Sequence, residues 1–509
     1  MIAVSRHAKP DLPRVAQRGQ MPKVFPAEIW PPPLRVSQQR GNWTSPFVGS
    51  QNALSAVWVF LTAVSYSRRS VAKQAVAKPS FPEDMVVVTP VAAAYVHIPF
   101  CRQQCRYCDF AIDVVGASIE RPRVTRYLDC LKAEILSGGS GSLHSCFEYK
   151  PLESLYFGGG TPSILSASDL EGLLQLLKDR FGLDADCEVT IEMDPGTFSE
   201  EKARHLAGLG MVRASVGIQS LDDETLRRCG RGHTAKQAVE ALETLRRAGF
   251  RNISADIISG VPGQTHSQLK SELRELSGLG VDHLSVYDLQ FESGTDFGRR
   301  FPEPGQAGRP TEEFAAELYE ATHDELEALG FEHYEISNYA RLTKVPGQNR
   351  SRHNQTYWQR RPYAAFGNGA ASFVSGLRAT RPRELDRYCD WIESDGGTSS
   401  LEVDTSQRDN LQDAMCEAAM LGLRTKEGID IIAHGEAARC LLAMADALQP
   451  WQEEGAVCMT RRTHSSKHCE LKAVLRPPRG FLVSDAILSD MFAAVMSLED
   501  ESHSELEKK

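Results

Sequence analysis

Through the middle of the chain, short runs of apolar and β-branched residues alternate with stretches whose apolar residues recur at helical spacing. The first run, Ala94 to Ile98, reads as a strand ended by Pro99. Five more strands are expected over 154–157, 188–192, 213–218, 253–258 and 283–289. Helices are expected between them over 125–136, 168–181, 200–209, 222–229, 234–248 and 267–276, the second with a serine cap available from Ser166 or Ser168. A repeated βα order implies a parallel sheet with helices outside it. An open doubly wound sheet and a partial barrel both fit. In either, the chemistry collects at the C-terminal ends of the strands. Three cysteines follow the first strand, Gly158-Gly159-Gly160-Thr161 the second, Glu192 and Asp194 mark the third, and Gln219 the fourth.

The pattern changes at both ends of the chain. Residues 1–85 are poor in acidic groups, rich in Arg, Ser, Pro and Gln, and without a sustained period, which reads as a disordered leader of the organelle-transit kind. Its one apolar run, Ala53 to Val64, is too short to cross a bilayer. A core domain is expected over 86–375, with a late helix over 311–330 and a strand from Phe331 to Ile336. From about residue 376 the sheet pattern stops. A mainly helical C-terminal domain with a small wing-like hairpin is expected over 376–509, with an insertion over 461–479 and a polar tail from 499.

The net charge of −10 conceals a split. Residues 1–80 hold 11 Lys and Arg against 2 Asp and Glu, so the remainder carries −19. An acidic body argues against a nonspecific nucleic-acid binder, and no nucleic-acid partner is expected. Of the 12 cysteines only Cys101, Cys105 and Cys108 cluster. The others lack a disulfide-like rhythm, which favours a reducing compartment.

The clustered cysteines stand at C-x3-C-x2-C spacing in the run from Tyr95 to Phe110. A loop of this kind wraps one side of a metal cluster. Three thiolates do not complete tetrahedral zinc, whereas three on a [4Fe–4S] cube leave one iron open. A zinc knuckle, or three unrelated core cysteines, is the alternative. The run resembles the signature of the radical S-adenosylmethionine (SAM) enzymes. The flanking words His97-Ile98-Pro99-Phe100-Cys101 and Tyr107-Cys108-Asp109-Phe110 narrow the resemblance to the oxygen-independent coproporphyrinogen oxidase-like group, and within it to the haem chaperone branch.

That resemblance implies a partial (β/α)6 barrel, open on one side, and a [4Fe–4S] cluster held by Cys101, Cys105 and Cys108. It implies SAM chelating the open iron, with reductive cleavage giving a 5′-deoxyadenosyl radical. The hard chemistry then belongs to the cofactor while the protein positions and shields it. The expected cofactor-binding set includes Tyr95 and Thr161, Gly158, Gly159 and Gly160 along the methionyl amine, and Tyr107 against adenine. It also includes Glu192 for the ribose hydroxyls, Gln219 as donor and acceptor, and Arg231 for the methionyl carboxylate. Asp256 is turned to the site, because a lone buried carboxylate elsewhere is costly. Plainer alternatives are a strand–helix turn for the glycines, packing under the loop for Tyr107, and a solvated helix end for Arg231.

Three features carry the branch. Cys108 is followed by Asp109 and Phe110, where the oxidases have a further cysteine two places on. The leader shows no oxidase-type substrate segment. His353-Asn354-Gln355-Thr356-Tyr357-Trp358 resembles the H-N-x-x-Y-W element of the chaperone branch. In that reading His353 is a haem iron ligand, and Tyr357 and Trp358 lie against the porphyrin face; the alternative is a helical turn packing an aromatic pair. Two positions depart from the family. Ala371 replaces a histidine in Gly367-Asn368-Gly369-Ala370-Ala371, and Asp194 replaces an asparagine, adding charge near the cofactor.

The resemblance implies a haem chaperone without coproporphyrinogen oxidase activity, carrying haem b as cargo to an acceptor haemoprotein. The alternatives are the oxidase itself, decarboxylating porphyrinogen propionates, and a non-catalytic cluster protein. No transmembrane segment is expected. Peripheral membrane association and a homodimer formed on cluster binding are further expectations. The leader points to the chloroplast, with the mitochondrion as alternative, and the cytoplasm if the leader is no signal.

Overall fold

Strand β1, Val91–Ile98, is buried along almost its whole length, as an apolar run inside a parallel sheet must be. It is followed by β2 (Tyr149–Gly159), β3 (Leu183–Met193), β4 (Arg213–Gln219), β5 (Asn252–Ser259) and β6 (His283–Asp288). Every neighbouring pair from β1 to β6 is parallel. The six expected strands are therefore present, most of them longer than the pattern shows. This computed structural model describes residues 80–81, 90–116, 121–137, 149–303, 306, 308–374, 376–395, 411–465 and 468–506. Apart from Ser80–Phe81, the leader expected over 1–85 lies outside the described residues.

The crossovers are α1 (Arg121–Ser137), α2 (Ala167–Phe181), α3 (Glu200–Gly208), α4 (Asp223–Cys229), α5 (Ala235–Ala248) and α6 (His266–Gly278). Local chemistry fixes their ends. Helix α2 opens on a capping box of Ser166 and Asp169, and α5 on one of Thr234 and Gln237 before stopping at Gly249 in the left-handed region. Ala238, Ala241, Leu242, Leu245 and Ala248 form the buried stripe of α5. Burying a leucine such as Leu245 stabilises the fold by about 2 kcal/mol.

The sheet does not stop at six strands. β7 (Phe331–Glu335) and β8 (Asn338–Arg341) continue it antiparallel beyond β6, and β9 (Ala364–Phe366) adds parallel to β1. The order is β7-β8-β6-β5-β4-β3-β2-β1-β9, a partial barrel with a mixed edge. Of these three additions the sequence pattern predicted only β7. β8 and β9 are too short to display a period.

The C-terminal region is largely helical, with a second core that includes Leu441, Met444, Leu448, Leu471 and Met491. Helices Leu411–Leu423, Gly435–Glu453 and Ser484–Leu506 surround a four-stranded sheet. The wing-like hairpin is Val457–Ser465 with His468–Leu475, and it takes up most of the segment read as an insertion. Helix Leu385–Asp395, placed by sequence in the C-terminal domain, packs Leu385, Tyr388, Cys389 and Ile392 into the barrel core. It is held there by a buried ion pair, Arg381 to Glu134 at 2.8 Å, with Tyr388 donating to the same carboxylate. Among the described residues no helix is long and apolar enough to cross a membrane.

Candidate cofactor site

At the C-terminal ends of the barrel strands lies a cavity of about 490 Å³ whose wall carries Cys101, Cys105 and Cys108. The loop that bears them is tied down by its backbone. The N–H of Val115 donates to Cys101 O, that of Arg106 to Cys229 O, and that of Cys108 to Cys105 O. All three thiols are free and partly exposed. Burial, with neighbouring cysteines adding to it, pushes Cys101 and Cys108 up to about 12. Bound iron reverses that balance, because a cation deprotonates a thiol that ligates it. Among the described residues no three His, Cys, Asp or Glu side chains meet around a point as ligands of a single ion do. All three thiols line the same cavity.

Gly159 has φ +115°, and a Cβ there would lie 2.5 Å from the His97 ring. A Cβ at Gly160 would lie 2.6 Å from Pro99 O. The glycines thus let β2 lie against the end of β1 that leads into the cysteines. Gly159, Gly160 and Thr161 reach the cavity wall, while Gly158 is turned to Tyr156 and Glu192.

Glu192 accepts from Tyr156 Oη at 2.8 Å and from Gly159 N at 2.9 Å. Burial, and then Asp256 nearby, lift its carboxyl to about 7. Asp256 does face the cavity; it accepts from Ser215 at 2.9 Å and Ser254 at 3.3 Å, and burial raises it too. Tyr95 bonds His97 Nδ1 at 3.0 Å and stacks on Tyr156. Tyr107 packs with Cys229, Ile258 and Val261, so the plainer reading holds for part of its ring, though the residue also lines the cavity. Gln219 sits at φ +67° where β4 slips register against β5, a conformation rare for a non-glycine residue and found at functional sites.

Arg231 is not a solvated helix end: its side chain is 8% exposed. Nη2 donates to Asp194 Oδ1 at 2.6 Å and to Gly217 O at 2.9 Å, and Nη1 to Cys105 Sγ at 3.3 Å. Its buried Nε has no acceptor among the described residues. The charge that Asp194 adds is therefore paired.

The helix Arg352–Trp358 brings His353, Asn354 and Tyr357 to the cavity lining. His353 is buried, bonds Ser154 Oγ through Nδ1 at 3.1 Å and Tyr357 Oη through Nε2 at 2.8 Å, and stacks on Tyr156. Burial holds it down to about 3. Both ring nitrogens are in use, so reaching an iron means exchanging one of these bonds. Tyr357, four residues on, shares the cavity face. Trp358 does not: it turns to the C-terminal core, away from any porphyrin in the cavity. Ala371 is fully buried in the hairpin opposite Thr380 and is no part of the cavity wall.

Sequence reasoning missed Tyr156 and Asp288, both on the wall. Asp288 was findable as a carboxylate at the end of an apolar strand; burial lifts it to about 7. Tyr156 gave no signal, because inward and outward positions look alike in a strand buried on both faces. As a set, three thiols in one cavity, a guanidinium with an orphan donor and two inward carboxylates fit a thiolate-held cluster carrying a ligand with a carboxylate and hydroxyls.

The Radical SAM superfamily profile matches residues 95–276. The chain is 35% identical over 417 residues to "Heme chaperone HemW" of Synechocystis sp., covering 79% of this chain and 97% of that protein. It is 32% identical to the protein of that name in Bacillus subtilis, over 66% of this chain and 84% of the relative. It is 33% identical to "Radical S-adenosyl methionine domain-containing protein 1, mitochondrial" of Bos taurus, over 66% and 74%. Among solved structures, coproporphyrinogen III oxidase (HemN) from Escherichia coli superposes with a TM-score of 0.61 at 20% identity, covering 80% of this chain and 90% of the other. That likeness shows the fold.

Proposed function

We propose, from the premise that this chain belongs to the HemW family of the radical SAM superfamily, that it is a haem chaperone. It holds a [4Fe–4S] cluster and SAM, takes up haem b and passes it to an acceptor haemoprotein. The observation that carries this reading is the convergence of Cys101, Cys105 and Cys108 on one cavity with Arg231, Glu192 and Asp256. The three thiolates hold three irons of the cluster. When bound, the cluster supplies an electron to the sulfonium of SAM.

The chain's own side chains orient that ligand. Arg231 offers its Nε to a carboxylate, and Glu192 and Asp256 accept from hydroxyls, with Gln219, Thr161 and Tyr95 completing the wall. His353 approaches haem iron by exchanging its bond with Tyr357. His353→Ala is then expected to weaken haem binding and change the haem spectrum; an unchanged spectrum and affinity would remove it as the ligand.

On this reading the protein converts no coproporphyrinogen, and it dimerises on taking up its cluster. The composition of residues 1–85 supports import into an organelle, the chloroplast before the mitochondrion; a fluorescent fusion to that leader that stayed in the cytosol would refute this. The central test is a haem titration of the anaerobically reconstituted full chain, run beside a turnover assay read by product mass. Haem binding without a decarboxylated product is expected. Such a product, or no haem binding, would overturn the reading.

A further inference from the structure

Asp194 leaves the end of β3 between two of the cluster sulfurs. Its Oδ2 accepts from Thr161 Oγ1 at 3.4 Å, and that hydroxyl oxygen lies 3.5 Å from Cys101 Sγ. Its Oδ1 accepts from Arg231 Nη2 at 2.6 Å, and Arg231 Nη1 lies 3.3 Å from Cys105 Sγ. One carboxylate thus joins two thiols through one side chain on either hand. Its backbone is fixed as well. The Asp194 N–H donates to Ser163 Oγ at 3.1 Å, and Thr197 Oγ1 donates to Asp194 O at 2.7 Å. The backbone bonds fix where the side chain starts, and the bonds from Thr161 and Arg231 hold the carboxylate itself.

Thr161 Oγ1 has one hydrogen, so Asp194 and Cys101 Sγ compete for it. Arg231 serves Asp194 and Cys105 Sγ through different nitrogens, so on that side Asp194 acts by fixing the guanidinium, and it adds a negative charge beside both sulfurs. Hydrogen bonds to the sulfurs and local net charge are the levers that set an iron–sulfur cluster's potential. Asp194 also competes with any incoming carboxylate for Arg231. We propose that Asp194 is a positioning residue that rations the Thr161 hydrogen bond to Cys101, fixes Arg231 beside Cys105, holds the cluster at a more negative potential through its charge, and sets how readily Arg231 receives the ligand carboxylate. The proposal rests on the cluster reading above and deepens it.

The test compares anaerobically reconstituted full-length wild type, Asp194→Asn and Asp194→Glu. Iron and sulfide content, the midpoint potential from a redox titration followed by electron paramagnetic resonance, and the SAM dissociation constant are measured on each. Asn keeps the shape and loses the charge. Its midpoint is expected to move to less negative values, with SAM binding about tenfold tighter, the size of a lost charge-assisted hydrogen bond. Glu, which restores the charge, is expected to return the midpoint towards wild type. Cluster uptake by the Glu variant and not by Asn would also support the carboxylate's role. Failure of both to load, or an Asn variant loaded like wild type with unchanged midpoint and SAM affinity, would overturn it. Wild type that takes up no iron and sulfide would instead overturn the cluster reading, and this proposal with it.

Discussion

Beside the cysteine loop, Arg231 divides its donors among Asp194, Gly217 and Cys105 and keeps Nε without an acceptor among the described residues. On the helix Arg352–Trp358, His353 has both ring nitrogens taken by Ser154 and Tyr357. Both side chains are buried on the same cavity, yet they differ in what remains to offer a ligand. An orphan donor in a buried place marks a group waiting for a partner. A fully bonded, stacked imidazole has to give up one of its bonds before it takes a ligand. On the proposed function, Arg231 is the side chain ready to receive a ligand, whereas His353 has to break a bond first.

Variants can break that contrast. The largest expected effect comes from removing both inward carboxylates, Glu192→Gln with Asp256→Asn. SAM affinity, measured by equilibrium dialysis, should fall about 100-fold, since each carboxylate accepts charge-assisted hydrogen bonds. Iron content should stay as in wild type. Next comes the helix Arg352–Trp358. His353→Ala leaves Ser154 and Tyr357 without their buried partner and should cost about 2 kcal/mol in chemical unfolding, again with iron uptake unchanged. If it destroyed the cluster and spared stability, the two regions would have been assigned the wrong way round.

A smaller effect is expected from Arg231→Lys. A point charge replaces the fork, so the pairs to Asp194 and Cys105 cannot both persist. SAM binding should weaken about tenfold, with little change in the unfolding midpoint. The smallest expected effect is in pH dependence. His353 is held down to about 3 and His97 to about 4, both chiefly by burial. A histidine pKa lowered in the folded state favours its neutral form. The stability each contributes is present above about 6.5 and is lost as pH falls towards 3. Glu192, lifted to about 7, runs the other way: its contribution is complete below the ordinary 4.5 and is lost as pH rises through 7. Urea midpoints across this range should show a shallower acid limb in His353→Ala and a flatter neutral limb in Glu192→Gln.

Much of this contrast was legible in the sequence, and the illegible part is instructive. The six parallel strands announce themselves because buried strands need unbroken apolar runs. The cysteine loop does so because its spacing is covalent. Partnerships made by the fold leave no such mark. Nothing in the chain says that Asp194 meets Arg231, 37 residues away, so a substitution that looked like loose charge proved to be half of an ion pair. Nor does the H-N-x-x-Y-W word say which way it faces. His353 and Tyr357, four apart, share one side of their helix, and Trp358 falls on another. The left-handed Gln219 had no precursor in the pattern, because its conformation is imposed by the strand slip around it.

The central claim is that the three thiols lining the cavity hold an iron–sulfur cluster. The most direct measurement is iron, acid-labile sulfide and zinc in the anaerobically reconstituted full chain, set beside a variant with Cys101, Cys105 and Cys108 all changed to serine. The account predicts about four irons and four sulfides per wild-type chain and almost none in the variant. Stoichiometric zinc without sulfide in the wild type, or iron and sulfide that survive loss of all three cysteines, would contradict it.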